Sequence, residues 1–287
     1  MSSQKMTVPE IVLKRIMDQM EAGVVPWHRP WQNGLAKNLV SGRAYTGTNQ
    51  MLLGSDDRFS SPYWLTYNQN KQLLGTILEG EQSTPVIFLK STSYEDKDTG
   101  KKKAGRIMRF YNVWNVEQTY GIDHKRLTEF AMSQMKTEVA TVEAADAIVA
   151  GYTKPPSIAH DSIKAYYVPS TDEVHMPKRA DFETSGGYYG TLFHELCHST
   201  GHEKRLHRKT GCRFDNDHSY SMEELVAELG AAILCAEAGV SNERLIENTA
   251  AYIDGWLTVF RDKPETLMSA ASAGGKAVLW ITGGEEE

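Results

Sequence analysis

The spacing of apolar residues predicts amphipathic helices at both ends of the chain. Apolar side chains recur every three or four positions from residue 8 to residue 20, and Gly23 is expected to end this first helix. Similar patterns at residues 245–257 and 267–281 predict two helices near the C-terminus. The glycines and glutamates at residues 283–287 predict a disordered tail.

Shorter apolar runs predict strands between these helices. Residues 86–90 and 106–113 predict a pair of strands, joined by a charged hairpin tip at residues 95–103. Residues 63–69 follow a serine and a proline, which predicts the start of a helix. A further helix, rich in alanine, is predicted for residues 128–150.

The second half of the chain contains the pattern His194-Glu-Leu-Cys-His198. Residues four apart on a helix lie on one face, so both imidazoles can reach one Zn²⁺ ion. Glu195 follows the first histidine directly and is placed to act as the general base. Five residues can match this pattern by chance on a solvated helix. Here, however, residues 165–176 predict two short strands before the helix, which is the order of elements that a zincin needs.

A third metal ligand is expected on the helix predicted at residues 221–235. Glu224 and Glu228 lie one turn apart on the same face of that helix. We predict that Glu224 is the ligand and that Glu228 accepts the free N–H of a ligand histidine. Ser221 and Glu224 also match a capping box, and if the helix began there Glu228 would become the ligand instead.

Other polar residues near the motif have alternative interpretations. His202 and His207 are further candidates for the third ligand, but they lie in a basic stretch that is typical of a loop. Tyr189 and Tyr220 are candidates to hydrogen-bond a transition-state oxyanion, and either could equally be a core residue.

Composition narrows the class of protein. The 287 residues are enough for two domains of ordinary size, each with its own core. No apolar run approaches the length of a membrane span, and the first residues lack the core of a signal peptide. The three cysteines lack CxxC spacing, which favours reduced thiols in a cytoplasmic protein. A phosphate-binding loop that ends in Gly-Lys-Ser/Thr is missing, so we expect no nucleotide cofactor.

Charge divides the chain into two unlike parts. Residues 1–122 hold fifteen Lys and Arg against eleven Asp and Glu, a net charge of +4, whereas the rest has a net charge of −10. Four of the six tryptophans also lie in the first part. Aromatic rings among cationic side chains are what a groove for single-stranded nucleic acid needs. This pattern alone is weak, because tryptophans are more often core residues.

Several segments, spread over nearly the whole chain, carry a resemblance to a known family. In chain order they are Pro26-Trp27 with Pro30-Trp31, Ser41-Gly-Arg-Ala-Tyr-Thr-Gly-Thr-Asn49, Tyr63-Trp-Leu-Thr-Tyr-Asn-Gln69, Arg109-Phe-Tyr-Asn-Val-Trp-Asn-Val-Glu-Gln118, Tyr188-Tyr189 with His194-Glu-Leu-Cys-His-Ser-Thr-Gly-His202, and Glu223-Glu-Leu-Val-Ala-Glu228. Together they resemble the ArdC-type antirestriction proteins of mobile genetic elements. The chain is also similar to the N-terminal part of plasmid primases of the TraC type.

The resemblance implies an α+β protein of two domains. The first is a single-stranded-DNA-binding domain, which we place at residues 1–125, and the second is a zincin-like metallopeptidase domain of the gluzincin type at residues 151–287. Residues 126–150 are expected to form a linker or the first helix of the second domain. In conjugation, such proteins are thought to shield an incoming strand from host restriction.

The resemblance also implies roles for individual residues. His194 and His198 are implied as metal ligands and Glu195 as the base, with Zn²⁺ or another divalent transition metal as the cofactor. The implied partner is single-stranded DNA. The sequence leaves the substrate of the peptidase open, and a restriction-system subunit, another DNA-bound protein and the protein itself are all candidates. The DNA-binding role is carried to seven residues: Trp27, Trp31, Arg43, Tyr45, Asn49, Trp64 and Gln69.

Three functions remain open from the sequence. The protein is a metallopeptidase that acts on a DNA-associated or regulatory protein, or a coat for single-stranded DNA whose metal site is not needed for protection. The third function, a regulatory protease that cuts a repressor, leaves the aromatic residues of the first half unexplained.

Overall fold

The structure is a computed structural model, which describes residues 8–23, 25, 34–54, 56, 58–95, 102–133, 138–208, 217–241 and 250–284. Its helices are α1 (Val8–Glu21), α2 (Gly47–Gly54), α3 (Tyr67–Gln72), α4 (Lys125–Ser133), α5 (Glu138–Gly151), α6 (Ser185–Ser199), α7 (Asp217–Ala238), α8 (Ala250–Asp262) and α9 (Glu265–Thr282). Its strands are β1 (Lys37–Asn38), β2 (Tyr63–Thr66), β3 (Thr76–Ile77), β4 (Thr84–Glu95), β5 (Lys102–Asn115), β6 (Thr119–Tyr120), β7 (Ser157–Ala159), β8 (Tyr166–Val168) and β9 (Glu173–His175).

The fold is α+β, as predicted, and its sheets are small. The sheet of the first half has the strand order β1-β2-β5-β4, with β1 parallel to β2 and the other neighbours antiparallel. The predicted strand pair is confirmed as the long hairpin of β4 and β5, which runs in register from Thr84 opposite Val113 to Glu95 opposite Lys102. In the second half, β9 lies between β7 and β8, and the predicted pair of short strands is β8 and β9.

The prediction of a helix that begins near residue 63 is wrong for its first four residues. Tyr63, Trp64 and Leu65 are buried in strand β2, which pairs with β5. The helix begins only after Thr66, whose side chain accepts from the backbone N–H of Gln69 while Gln69 accepts from the backbone of Thr66. Aromatic residues suit a half-buried strand, and this capping box marks the true helix start.

The predicted helix at residues 128–150 is two helices that belong to different halves. Leu127 of α4 packs beside Leu39, Tyr63 and Leu65 of the first half. On α5, Ala145 is fully buried in the core of the second half. Residues 134–137, which join the two helices, lie outside the described residues.

Beside the buried clusters that belong largely to one half, the two halves share a further hydrophobic cluster, which we call the shared core and which the sequence did not predict. A single cluster of buried residues combines Ile16 and Met51, from α1 and α2, with residues of α7, α8 and α9. On α9, the close approach of Gly275 to the backbone of Gly47 brings α2 against the helices of the second half. The first and last described helices therefore pack into one body.

The C-terminal helices agree with the sequence pattern where they are described. Helix α9 covers the predicted segment 267–281, and α8 begins at Ala250. The start of the other predicted helix, at residues 245–249, and the end of the tail, at residues 285–287, lie outside the described residues. Within the described ranges, every helix is too short or too polar to cross a lipid bilayer.

Candidate metal centre

Helix α6 holds the His-Glu-x-x-His motif in the interior of the second half. The hydroxyl of Thr184 caps the helix by accepting from the backbone N–H of Gly187 at 3.0 Å. Leu192, Phe193 and Leu196 are buried and fix the helix against its neighbours. The helix ends at Ser199, close to the predicted stop.

Three side chains converge at one point between α6 and α7. The Nε2 atoms of His194 and His198 lie 2.9 Å apart, and each is 3.4 Å from a carboxylate oxygen of Glu224. Among the described residues, only these three offer ligand atoms that all lie within 4.8 Å of one another. Two imidazoles and one carboxylate form a donor set that fits Zn²⁺ and other divalent transition metals. The Glu224 side chain is 26% exposed, so the centre is open to solvent on that side.

Glu224 is the glutamate of α7 that lies against both histidines. The helix begins at Asp217, so Ser221 is an interior residue and does not cap it. Glu224 is therefore free of the capping box that would have moved the ligand role by one turn. Glu228 is buried one turn further along and is not part of the group of ligand atoms.

The close approach of α6 and α7 depends on a glycine. A Cβ atom at Gly230 would lie 2.5 Å from Sγ of Cys197. The thiol of Cys197 is completely buried, and this burial raises its pKa to about 12. Cys197 is thus a packing residue that contacts α7.

Two residues that the sequence analysis did not single out support His198. A carboxylate oxygen of Glu223 lies 3.6 Å from Nδ1 of His198, the ring nitrogen that faces away from Glu224. Arg208 donates two hydrogen bonds to this carboxylate, from Nη2 at 2.6 Å and from Nε at 3.2 Å. The same guanidinium donates to the carbonyl of Cys197 at 3.0 Å and to the hydroxyl of Thr200 at 2.6 Å. Arg208 therefore joins the end of α6 to α7 behind the ligand set.

The charges around the centre favour a cation. Burial alone would lower the pKa of His198, but its hydrogen bonds to Glu223 and Glu224 outweigh burial and raise the pKa to about 10. Burial would raise the pKa of Glu224, but hydrogen bonds from His194 and His198 hold it well below its usual range. The carboxylates thus stabilise positive charge on the imidazoles, and a divalent ion supplies such charge without protons.

Glu195 lies within this buried region. Its side chain is 5% exposed, and it stands one residue after His194 and three before His198 on the same helix. A carboxylate at this position borders the ligand set without joining it.

Neither tyrosine that was predicted to hydrogen-bond an oxyanion is seen at the metal centre among the described side chains. Tyr189 is fully buried, and its hydroxyl donates to Asp146 at 2.5 Å. This residue is therefore part of the core, and its hydroxyl is already engaged. Tyr220 lies on α7, one turn before Glu224, and its side chain is outside the described residues.

The other histidines considered as third ligands are not in the cluster. Nδ1 of His202 lies 3.9 Å from the carboxylate of Asp172, in a turn after α6. That carboxylate is bound by Arg205, which also donates to the carbonyls of Ser199 at 2.7 Å and Lys154 at 3.0 Å. His207 has a positive φ of 47° and is not part of the ligand group.

Two of the seven predicted DNA-binding residues are core residues in the structure. Trp64 is 1% exposed and Tyr45 is 9% exposed, and both pack with Val86 and Val113 between sheet and helix. Both rings therefore contribute to the packing of the first half. Trp27 and Trp31 lie outside the described residues.

Polar members of that set hold the backbone of the first half. Asn49 pairs with both backbone groups of Ile87, accepting at 2.8 Å and donating at 2.6 Å. Gln69 caps α3 and exchanges two side-chain hydrogen bonds with Asn38, at 2.9 Å and 3.2 Å. Arg43 is exposed at a turn. The segments that carry the family resemblance thus include many residues that build the fold.

Comparisons with known proteins match both halves. Residues 6–116 match the family described as the N-terminal domain of anti-restriction factor ArdC, and residues 143–273 match the family described as zincin-like metallopeptidase. Among whole proteins, two from Escherichia coli named DNA primase TraC are 30% and 31% identical over 95% and 92% of this chain. This chain spans only 27% and 19% of their length. The uncharacterized protein y4eC of Sinorhizobium fredii is 30% identical over 95% of this chain and 90% of its own length.

Solved structures match over nearly the full length. The metal-free crystal structure of the antirestriction ArdC protein from the R388 plasmid is 30% identical, with a TM-score of 0.76 over 98% of this chain and 100% of that one. The Mn(II)-bound structure of the same protein gives a TM-score of 0.74 over 97% and 98%. The chain therefore belongs to the ArdC family of antirestriction proteins, with a zincin-like metallopeptidase domain as its second half.

Proposed function

We propose that this protein binds single-stranded DNA and protects incoming mobile-element DNA from host restriction in the cytoplasm of the recipient cell. Membership of the ArdC family and a net charge of +4 on the first half support the DNA-binding role. The convergence of His194, His198 and Glu224 supports a zinc-dependent peptidase site in the second half.

The chemistry of that site follows from the placement of its residues. When bound, a divalent metal supplies a Lewis acid that polarises a carbonyl and makes water a better nucleophile at neutral pH. His194, His198 and Glu224 hold the ion, and Glu223 orients the ring of His198. Glu195 accepts the proton of the attacking water and passes it to the departing amine. The exposed side of Glu224 is where a peptide reaches the centre.

The first experiment separates coating from proteolysis. We expect the Glu195→Ala variant to protect transferred DNA as well as the wild type does, because a coat works by occupying the strand. The measurement is the frequency of conjugative transfer into recipients with and without a restriction system. Loss of protection by a variant that still binds DNA would contradict this role for the coat.

A second candidate function is proteolysis of a DNA-associated or regulatory protein, with DNA binding used only for targeting. The observation that favours it is the complete ligand set with its supporting pair Glu223 and Arg208, an arrangement that a coat does not need. In that case Glu195→Ala abolishes protection while leaving DNA affinity unchanged. A restriction-system subunit is the substrate that would join this activity to antirestriction.

A further inference from the structure

The β4–β5 hairpin extends beyond the body of the first half. Its base is held by β2, which pairs with β5 at Val113–Asn115, and by Asn49, which binds the backbone of Ile87. From Phe88 to Glu95, strand β4 has β5 as its partner in the sheet and lies at the sheet edge. At about 3.3 Å per residue, this part is an arm roughly 25 Å long.

One face of the arm, near its base, carries exposed aromatic rings beside an arginine. Phe88 lies directly opposite Arg109, and Tyr111 follows two residues later on the same face. The rings of Phe88 and Tyr111 contact each other at 5.3 Å between centroids, and they are 43% and 42% exposed. Within the described residues, Arg109 is exposed and makes no ion pair. We call these three residues the arm platform.

The charge of the first half is concentrated on the same hairpin. Residues 84–115 contain seven Lys and Arg against three Asp and Glu, whereas the remainder of residues 1–122 contains eight of each. The net charge of +4 of the first half is therefore carried by this one segment. A segment with such an excess of cationic residues attracts a polyanion.

We propose that single-stranded DNA binds across the arm platform, with bases against Phe88 and Tyr111 and the backbone beside Arg109. This inference rests on the proposed function and names the surface that performs it. A stretched single strand offers unstacked bases to aromatic rings and phosphates to cations, and the platform presents both kinds of group side by side. The bases of duplex DNA are already stacked on one another, so the platform favours the single strand. The buried residues Trp64 and Tyr45 support the sheet from which the arm extends.

The same hairpin supplies a matched control. Phe110 is 42% exposed, like Tyr111, and is its neighbour on β5. Neighbouring residues on a strand point to opposite faces, so Phe110 lies on the far side of the arm. Replacing Phe110 removes a ring of equal exposure from the same strand without changing the platform.

The test measures the binding of a labelled single-stranded oligonucleotide to the full chain by fluorescence anisotropy at several salt concentrations. We expect binding about 10-fold weaker for Phe88→Ala or Tyr111→Ala, about 100-fold weaker for the double variant, and nearly unchanged for Phe110→Ala. Arg109→Gln should lower the slope of log affinity against log salt by about 0.7, as expected for one phosphate contact on a single strand.

The outcomes distinguish the surface from the function. If the wild type binds no single-stranded DNA, the proposed function fails together with the platform. If the wild type binds and the double variant binds equally well, the platform is wrong while the function stands. An equal loss for Phe110→Ala would also overturn the assignment to this face. The midpoint of thermal unfolding is measured for each variant as a control. A midpoint equal to that of the wild type shows that the variant is folded and that its loss of affinity is not caused by unfolding.

Discussion

At the scale of single residues, the sequence was sufficient to predict the part of the metal centre that lies within one motif. It was not sufficient to predict the residues outside the motif that hold His198 in place. His194, Glu195 and His198 stand within five positions, and helix geometry alone brings the histidines together. Glu223 has no such signature, because its role depends on the rotation of α7 and on Arg208, fifteen positions earlier. The adjacent pair Glu223-Glu224 was the available signal: one carboxylate faces the ligand cluster and the other faces the outer nitrogen of His198.

Replacing Glu223 should weaken metal binding without removing a ligand. We expect Glu223→Gln to lower the affinity for Zn²⁺ about 10- to 100-fold, because the ring of His198 loses the carboxylate that orients it. Competition with a chromophoric chelator measures this affinity directly. Glu237→Gln, an exposed change on the same helix, is the control. An unchanged affinity for Glu223→Gln would show that His198 needs no such support.

The identity of the third ligand gives a separate prediction. Glu224→Gln should reduce Zn²⁺ affinity more than Glu228→Gln does, because the two carboxylate oxygens of Glu224 lie 3.4 Å from Nε2 of His194 and of His198, respectively, and Glu228 is not part of the ligand group. The reverse order would return the ligand role to Glu228. The same chelator competition ranks the two variants.

The aromatic residues show why residue type alone predicts a surface poorly. Trp64 and Phe88 are both large rings in strands of one sheet, yet one is 1% and the other 43% exposed. The difference is set by how far each strand extends past the core, which a single sequence does not display. The pairing of β4 with β5 was predictable from the sequence. Which aromatic residues of this hairpin are exposed to solvent was not.

At the scale of elements, α6 and α7 act as one unit because a glycine lets them approach. Gly230→Ala would press a methyl group onto the sulfur of Cys197, and overpacking of this kind costs about 1–3 kcal/mol. The gain in helix propensity from Gly to Ala, at most about 1 kcal/mol, does not offset that cost. We therefore expect a lower midpoint of thermal unfolding.

A second change tests whether this contact is the cause. Cys197→Ala removes the sulfur that the new methyl group meets, so Gly230→Ala should be tolerated far better in that background than in the wild type. Thermal unfolding of the wild type, both single variants and the double variant gives the coupling between the two positions. Additive effects would place the strain elsewhere.

The segment at residues 63–69 shows that a local sequence pattern does not always decide between a helix and a strand. Its residues can start a helix or form a strand, and strand β2 forms because β5 pairs with it from fifty positions away. The predicted helix start was at Ser61 and Pro62. The true start was visible a few residues later as the capping-box pattern Thr66-x-x-Gln69.

At the scale of the whole molecule, the shared core ties the two halves together. Ile16 and Phe260 lie in the same buried cluster although they are far apart in the chain. Sequence patterns show that each helix has an apolar face, but not which distant helix covers it. This is why the shared core was not predicted, whereas each half also has buried clusters of its own.

The shared core predicts that the second half does not fold alone. A fragment of residues 138–287 lacks α1 and α2, so it exposes the apolar faces of Leu225, Phe260 and Leu267. We expect this fragment to unfold without a cooperative transition, measured by circular dichroism on heating. A fragment that unfolds cooperatively and binds Zn²⁺ as the full chain does would contradict the role assigned to the shared core.

The shared core also determines how members of this family can be recombined in the laboratory. A chimera joined near residue 125 or 151 would pair α1 and α2 of one parent with α7, α8 and α9 of another, across a tightly packed surface. Residues 8–54 must instead be exchanged together with the C-terminal helices. The unit that can be transplanted into a new parent is therefore discontinuous in sequence, because both ends of the chain must come from the same protein. The β4–β5 hairpin lies between these ends and can be replaced separately.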